Sequence, residues 1–207
     1  MADESGLAEW CELSDALLRG LVHSLNNRLT ALSAFGELAS LGDAEFSVGD
    51  VMPAEIARLE RVAALFRLLV HDGAPAEALE VGPALDDAAA LHMHHPMLRA
   101  IRCEVARAGA PLPVRVPRWA LVRLLLTLLE SAKMVAAARG DEHLGVQLSG
   151  DAHEVAVFVH EASPTAYAVT MATLCGATLT AEQGGAVLRL PTLPELRRRE
   201  REALAGA

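Results

Sequence analysis

His23 stands in the run Leu21-Val22-His23-Ser24-Leu25-Asn26-Asn27-Arg28-Leu29-Thr30, where leucines recur every four residues and polar side chains fill the steps between them. At helical spacing this sets an imidazole on the solvent stripe of an amphipathic helix, with Arg19, Asn26, Asn27 and Thr30 on the same stripe. An exposed imidazole on a rigid rod suits phosphoryl relay: one ring nitrogen attacks in line while the other stays in one tautomer. Arg19 offers a charge-assisted donor to a phosphoryl oxygen. Asn27, one turn past the histidine, is placed to donate to the same group or to orient a water. Ser24 is rotated about 100° around the helix and carries no carboxylate. The imidazole tautomer must then be held from a neighbouring helix or by water.

Other residues with chemical potential have plainer readings. His92-Met93-His94-His95 puts His92 and His95 one turn apart, a spacing compatible with a metal. No acidic or thiolate residue lies near in sequence and Pro96 follows at once, so a solvated helix end is expected and no metal. His71 is placed to favour the negative end of a helix. Cys11, Cys103 and Cys175 are far apart with no CxxC, which excludes a disulfide framework and a thiolate zinc site. Arg197-Arg198-Arg199 runs into Glu200, Arg201 and Glu202, a mixed-charge helical tail exposed to water.

Composition narrows the classes further. The 207 residues are 52% hydrophobic but only 3% aromatic, so Ala, Leu and Val must build the core. A net charge of −9 argues against binding a phosphate backbone, so no nucleic-acid partner is expected. Met1-Ala2-Asp3-Glu4 lacks the basic and apolar regions of a secretion signal. The apolar run Leu124 to Leu129 is far short of the roughly 20 residues of a membrane span. A cytoplasmic protein without a membrane segment is expected.

The elements that must position His23 follow from periodicity. Trp10, Leu13, Leu17, Leu21, Leu25, Leu29, Leu32 and Leu38 mark one long helix over 7–41, stopped by Gly42-Asp43. Ser47 to Met52 reads as a loop, with Pro53 in the first turn of a second helix that ends near Asp72-Gly73. Such a hairpin leaves apolar surface in water, so a second copy is expected to complete a four-helix bundle. Beyond the Asp72-Gly73-Ala74-Pro75 linker, helices are expected at 83–97, 118–138 and 167–175. Strands are expected at 101–105, 114–116, 144–149, 154–159, 177–181 and 187–190. Trp119 and the leucines after it belong to the core. The fold class is α+β: an antiparallel helical hairpin over 1–75, an α/β sandwich of helices on one face of antiparallel strands over 76–194, and a charged tail over 195–207.

This order of elements resembles the transmitter region of bacterial sensor histidine kinases, over nearly the whole chain. His23-Ser24-Leu25-Asn26-Asn27-Arg28-Leu29-Thr30 looks like the H-box of that family. Arg118 to Ala132 looks like the helix that carries its N-box, and Gly176-Ala177-Thr178-Leu179 through Leu190-Pro191 like its last hairpin. The departures fall on the nucleotide site. Where active kinases place two asparagines that hold magnesium and phosphates, this chain has Thr127 and Ser131. Glu161-Ala162-Ser163-Pro164-Thr165 replaces the adenine-binding box without a glycine, and no room remains for a glycine-rich lid. Ser24 stands where active kinases commonly carry an acid.

A histidine beside a degenerate ATPase-like domain is similar to the dimeric histidine phosphotransferases of the ChpT kind, although the H-box is nearer that of the kinases. The resemblance implies a phosphorelay protein with His23 and Asn27 catalytic and Arg19, Asn26 and Thr30 contacting the phosphoryl group or the partner. It implies a response-regulator receiver domain as partner, an upstream histidine kinase as a second one, and a homodimer. It also implies no cofactor, with ATP binding lost and magnesium supplied with the receiver. A phosphatase of a phosphorylated regulator and a silent scaffold for a receiver or kinase are the alternatives.

Overall fold

The computed structural model describes residues 4–40, 48–70 and 73–205. Helix α1 spans Glu4–Ser40 and packs antiparallel on α2, Val48–Leu69. The second helix therefore begins before the expected loop ends, and Pro53 lies within it. A proline in the second turn removes one intrahelical bond near the helix start, which the rest of α2 tolerates. The Gly42-Asp43 stop, Asp72 of the linker and His71 lie outside the described residues.

The apolar stripe of α1 is divided between two duties. Trp10, Leu13, Leu17 and Leu21 are buried in the core of this same chain, together with Val62, Leu65 and Leu69 of α2. Leu29 is 48% exposed, and Leu18, Val22 and, on α2, Ile56 are exposed as well. Half of the surface expected to need a second copy is thus covered from within. Between the helices the buried Glu55 carboxylate receives Arg28 at 3.3 Å and Arg58 from its own helix. Removing either charge partner of a buried carboxylate is costly, so this pair fixes the register of the hairpin.

The hairpin leads into β1, Glu77–Leu79, a strand the sequence does not announce because three residues are too few for alternation to show. It pairs antiparallel with β3, Val114–Val116, in a two-stranded sheet. Between them come α3, Val81–His92, and β2, Arg102–Ala108. Helix α3 starts two residues earlier and stops five earlier than expected, at turns running to Pro96 and beyond. Proline disfavours a helical backbone in the residue before it, which ends the run.

The main sheet has the order β2-β4-β5-β7-β6, with β4 at His143–Gly150, β5 at Glu154–His160, β6 at Thr178–Glu182 and β7 at Gly185–Pro191. Every pairing is antiparallel except β2 with β4, which is parallel in the register Arg102↔His143 to Ala108↔Ser149. That departs from the expected all-antiparallel sheet. The cause is α4, Arg118–Arg139: its 22 residues, about 33 Å at 1.5 Å per residue, return the chain to the end where β2 began. Helices α4 and α5, Ala166–Leu174, cover one face of this sheet. Val155, Val157 and Val159 point into that core, as do Leu121, Leu124, Leu125 and Leu128 of α4. The fold is α+β, with helices on one face of a mixed sheet.

The tail is helix α6, Leu193–Ala205, and it is better anchored than a solvated run. Glu195 is only 4% exposed and takes hydrogen bonds from Arg198, Arg199 and His153. These donors hold its carboxyl far below the usual carboxylate range, the guanidinium of Arg198 foremost.

The candidate site around His23

Helix α1 is joined to the sandwich by a stack of side chains. Trp10 lies parallel on Tyr167 of α5, with ring centroids 5.5 Å apart, and the Arg123 guanidinium sits 4.6 Å from the Trp10 ring centre. Arg123 also donates to the Tyr167 hydroxyl at 3.3 Å and to the Leu69 carbonyl at 3.1 Å. One side chain on α4 thus ties α1, α2 and α5 together, which sets the direction in which α1 leaves the core. Its next two turns carry Arg19 and His23 past the turn that follows α3.

His23 is exposed, and its Nε2 lies 3.2 Å from Asn27 Nδ2. An amide nitrogen only donates, so Nε2 keeps its lone pair and Nδ1 carries the proton. The holder of the tautomer is therefore Asn27 on the same helix, not the neighbouring helix or water expected from sequence. His23 and Asn27 line a cleft of about 350 Å³, with Arg19, Gly20 and Ser24 on the same side. Met93, His94, Pro96 and Arg99 line the other. Ser24, placed by rotation away from His23, is in the wall of the same cleft. Asn26 and Thr30 are exposed on α1 but do not line it.

Gly20 makes the close approach possible, for the His94 carbonyl occupies the place its β-carbon would take. The opposing wall is rigid for reasons the sequence did not reveal. His95, nearly buried, accepts the backbone N–H groups of Met97 and Leu98 at its Nδ1, 3.2 and 3.1 Å away. His92 is fully buried and donates through Nε2 to Glu130 of α4 at 2.9 Å, and the His95 ring stacks beside it. The expectation of a solvated histidine end is overturned. The missing acid is Glu130, distant in sequence and adjacent in space. Desolvation pushes the imidazoles of His92, His94 and His95 below their usual value, with Glu130 opposing this at His92 and His95. Lys133, one turn beyond Glu130, is buried with no hydrogen-bond partner for its Nζ among the described residues. Its ammonium is pushed down by the same burial. Among the described residues no group of three or more His, Cys, Asp and Glu side chains is arranged to hold a metal ion.

Thr127 and Ser131 lie on α4, which covers the main sheet. Thr127 is buried and its hydroxyl donates to the Arg123 carbonyl at 2.9 Å. Ser131 Oγ accepts the Ser163 N–H at 3.2 Å, clipping the 161–165 segment onto α4. Glu161 has a left-handed backbone (φ 63°) and pairs with Arg139 at 2.9 Å.

No known family profile and no curated protein matches the chain. Among solved structures it is similar to one described as a bacterial phosphotransferase, at 17% identity over 87% of this chain and 96% of that one, with a TM-score of 0.43. It is similar to Acinetobacter baumannii histidine kinase AdeS at 12% identity, over 82% of this chain and 96% of that one, TM-score 0.43. The catalytic domain of histidine kinase ThkA matches at 14% identity over 59% of this chain and 99% of its own, TM-score 0.46. No helix among the described residues is long and apolar enough to cross a membrane.

Proposed function

We propose that this chain is a two-component phosphorelay protein that moves a phosphoryl group between His23 and the aspartate of a response-regulator receiver domain. The observation that carries this reading is the exposed His23, its Nε2 within 3.2 Å of the Asn27 amide, lining a cleft that Arg19 and Arg99 also line. In the transfer, Nε2 attacks phosphorus, the bond from phosphorus to the aspartyl oxygen breaks, and the aspartate leaves as a carboxylate. The Nδ1 proton stays in place. The Asn27 amide turns from the ring nitrogen to a phosphoryl oxygen. Magnesium comes with the receiver.

The relay runs without ATP-dependent autophosphorylation. The Thr127 hydroxyl is spent on the α4 backbone, and Ser131 is occupied by the segment that resembles a degenerate adenine box. Calorimetry with magnesium nucleotide is expected to give no binding, and micromolar affinity would overturn that part. The homodimer forms through Leu18, Val22, Leu29 and Ile56, apolar side chains exposed along the hairpin.

The test is incubation with phosphorylated receiver domains. An acid-labile phosphate on this chain, absent in His23→Ala, is the expected result. Loss of receiver phosphate without labelling would replace relay by phosphatase action through Asn27. Neither result would leave a docking scaffold.

A further inference from the structure

We infer that Arg99, carried on the turn between α3 and β2, binds the phosphoryl group at His23, so that the degenerate second domain supplies half of the transfer site. This rests on the reading of His23 as phospho-acceptor and adds to it a residue outside the helical hairpin.

The charge pattern is the first support. The chain carries 27 acidic against 18 basic residues, yet no carboxylate lines the His23 cleft, while Arg19 and Arg99 both do. Among the described residues neither guanidinium is in an ion pair, so both are open to an anionic ligand, while Arg28, Arg118 and Arg139 are each engaged by a carboxylate. A phosphoryl group on a ring nitrogen brings about two negative charges and three acceptor oxygens. Arg19 and Asn27 on α1 meet part of that demand, and Arg99 is the one cation on the facing wall.

The second support is how firmly that wall is built. The Arg99 N–H donates to the His95 carbonyl at 3.1 Å. His95 in turn gathers the Met97 and Leu98 amides, and Glu130 holds His92. The contact of Gly20 with the His94 carbonyl sets the wall against α1 just before His23. A chain of contacts that runs from α4 through His92 and His95 to the backbone of Arg99 brings an unpaired guanidinium to the rim of the cleft where phosphate must sit.

Inorganic phosphate titrated into the full chain tests this by the imidazole nuclear resonances of His23 and His94. Arg99→Ala should weaken the phosphate-induced shifts at least ten-fold, with Arg99→Lys restoring part of the affinity. Arg102→Ala, a charge-matched change outside the cleft lining, should not alter them. Equal affinity in wild type and Arg99→Ala overturns the inference, as does an equal loss in Arg102→Ala. Labelling of His23 by phosphoramidate or a phosphorylated receiver is scored separately. A wild-type chain labelled by neither refutes the relay, whereas a labelled chain whose phosphate affinity ignores Arg99 refutes only the role of that arginine.

Discussion

A β-carbon on Gly20 would come within 1.6 Å of the His94 carbonyl oxygen, so α1 meets the turn after α3 backbone to backbone. Gly20→Ala must therefore push two backbones apart beside His23. Overpacking of this kind costs about 1–3 kcal/mol, and phosphoryl transfer should fall with it. Gly36 on the same helix has open space around its missing β-carbon. There alanine should add about 0.5–1 kcal/mol of stability by its helix preference. Denaturant unfolding of the two variants should move in opposite directions.

Asn27→Ala removes the donor that keeps the lone pair on His23 Nε2. Transfer to and from a receiver should slow by ten-fold or more, since both the tautomer and a phosphoryl donor are lost. An exposed helix position contributes little to folding, so melting temperature and sedimentation should match wild type. Ser24→Glu should not create autophosphorylation from ATP, because the loss proposed for the nucleotide site falls on Thr127 and Ser131, away from α1.

Lys133→Met should stabilise the chain. The ammonium is buried without a hydrogen-bond partner among the described residues. Leaving such a group unsatisfied costs about 1–3 kcal/mol. An unbranched thioether fills the same space without that penalty, and the variant should melt at higher temperature at pH 7.

Stability should decline as pH falls below about 6.5. Burial disfavours the charged form of His92, His94 and His95 in the folded chain, whereas the unfolded chain takes up these protons at their ordinary value. Their contribution is therefore complete above that value and is lost on moving down through it toward the lowered folded values. Melting curves from pH 8 to 5 should show the decline, and His92→Gln, which cannot titrate, should flatten it.

The legible parts of this chain were the long periodic ones. The leucines of α4 and the alternating valines of β5 declare their elements, and His23 with Asn27 declares itself by one turn of spacing. The direction of β2 was not legible, because it is set by where α4 delivers β4 and not by any residue of the strand. His92 and His95 read as solvated because their partner, Glu130, comes 38 residues after His92 in the chain. Arg99 belongs to no periodic segment and becomes a site residue only when α1 is laid against its turn. Ser24 shows the opposite limit: rotation about the helix separated it from His23, but a cleft collects residues from a wider arc than one stripe.

The cleft beside His23 is enclosed by α1 and by the turn after α3 of one and the same chain. Activity should accordingly be counted per subunit. In mixed oligomers of His23→Ala and Arg99→Ala chains, no partner lends the missing wall, so the two defects should fail to complement each other. A single wild-type chain paired with either variant should keep one full share of the wild-type rate.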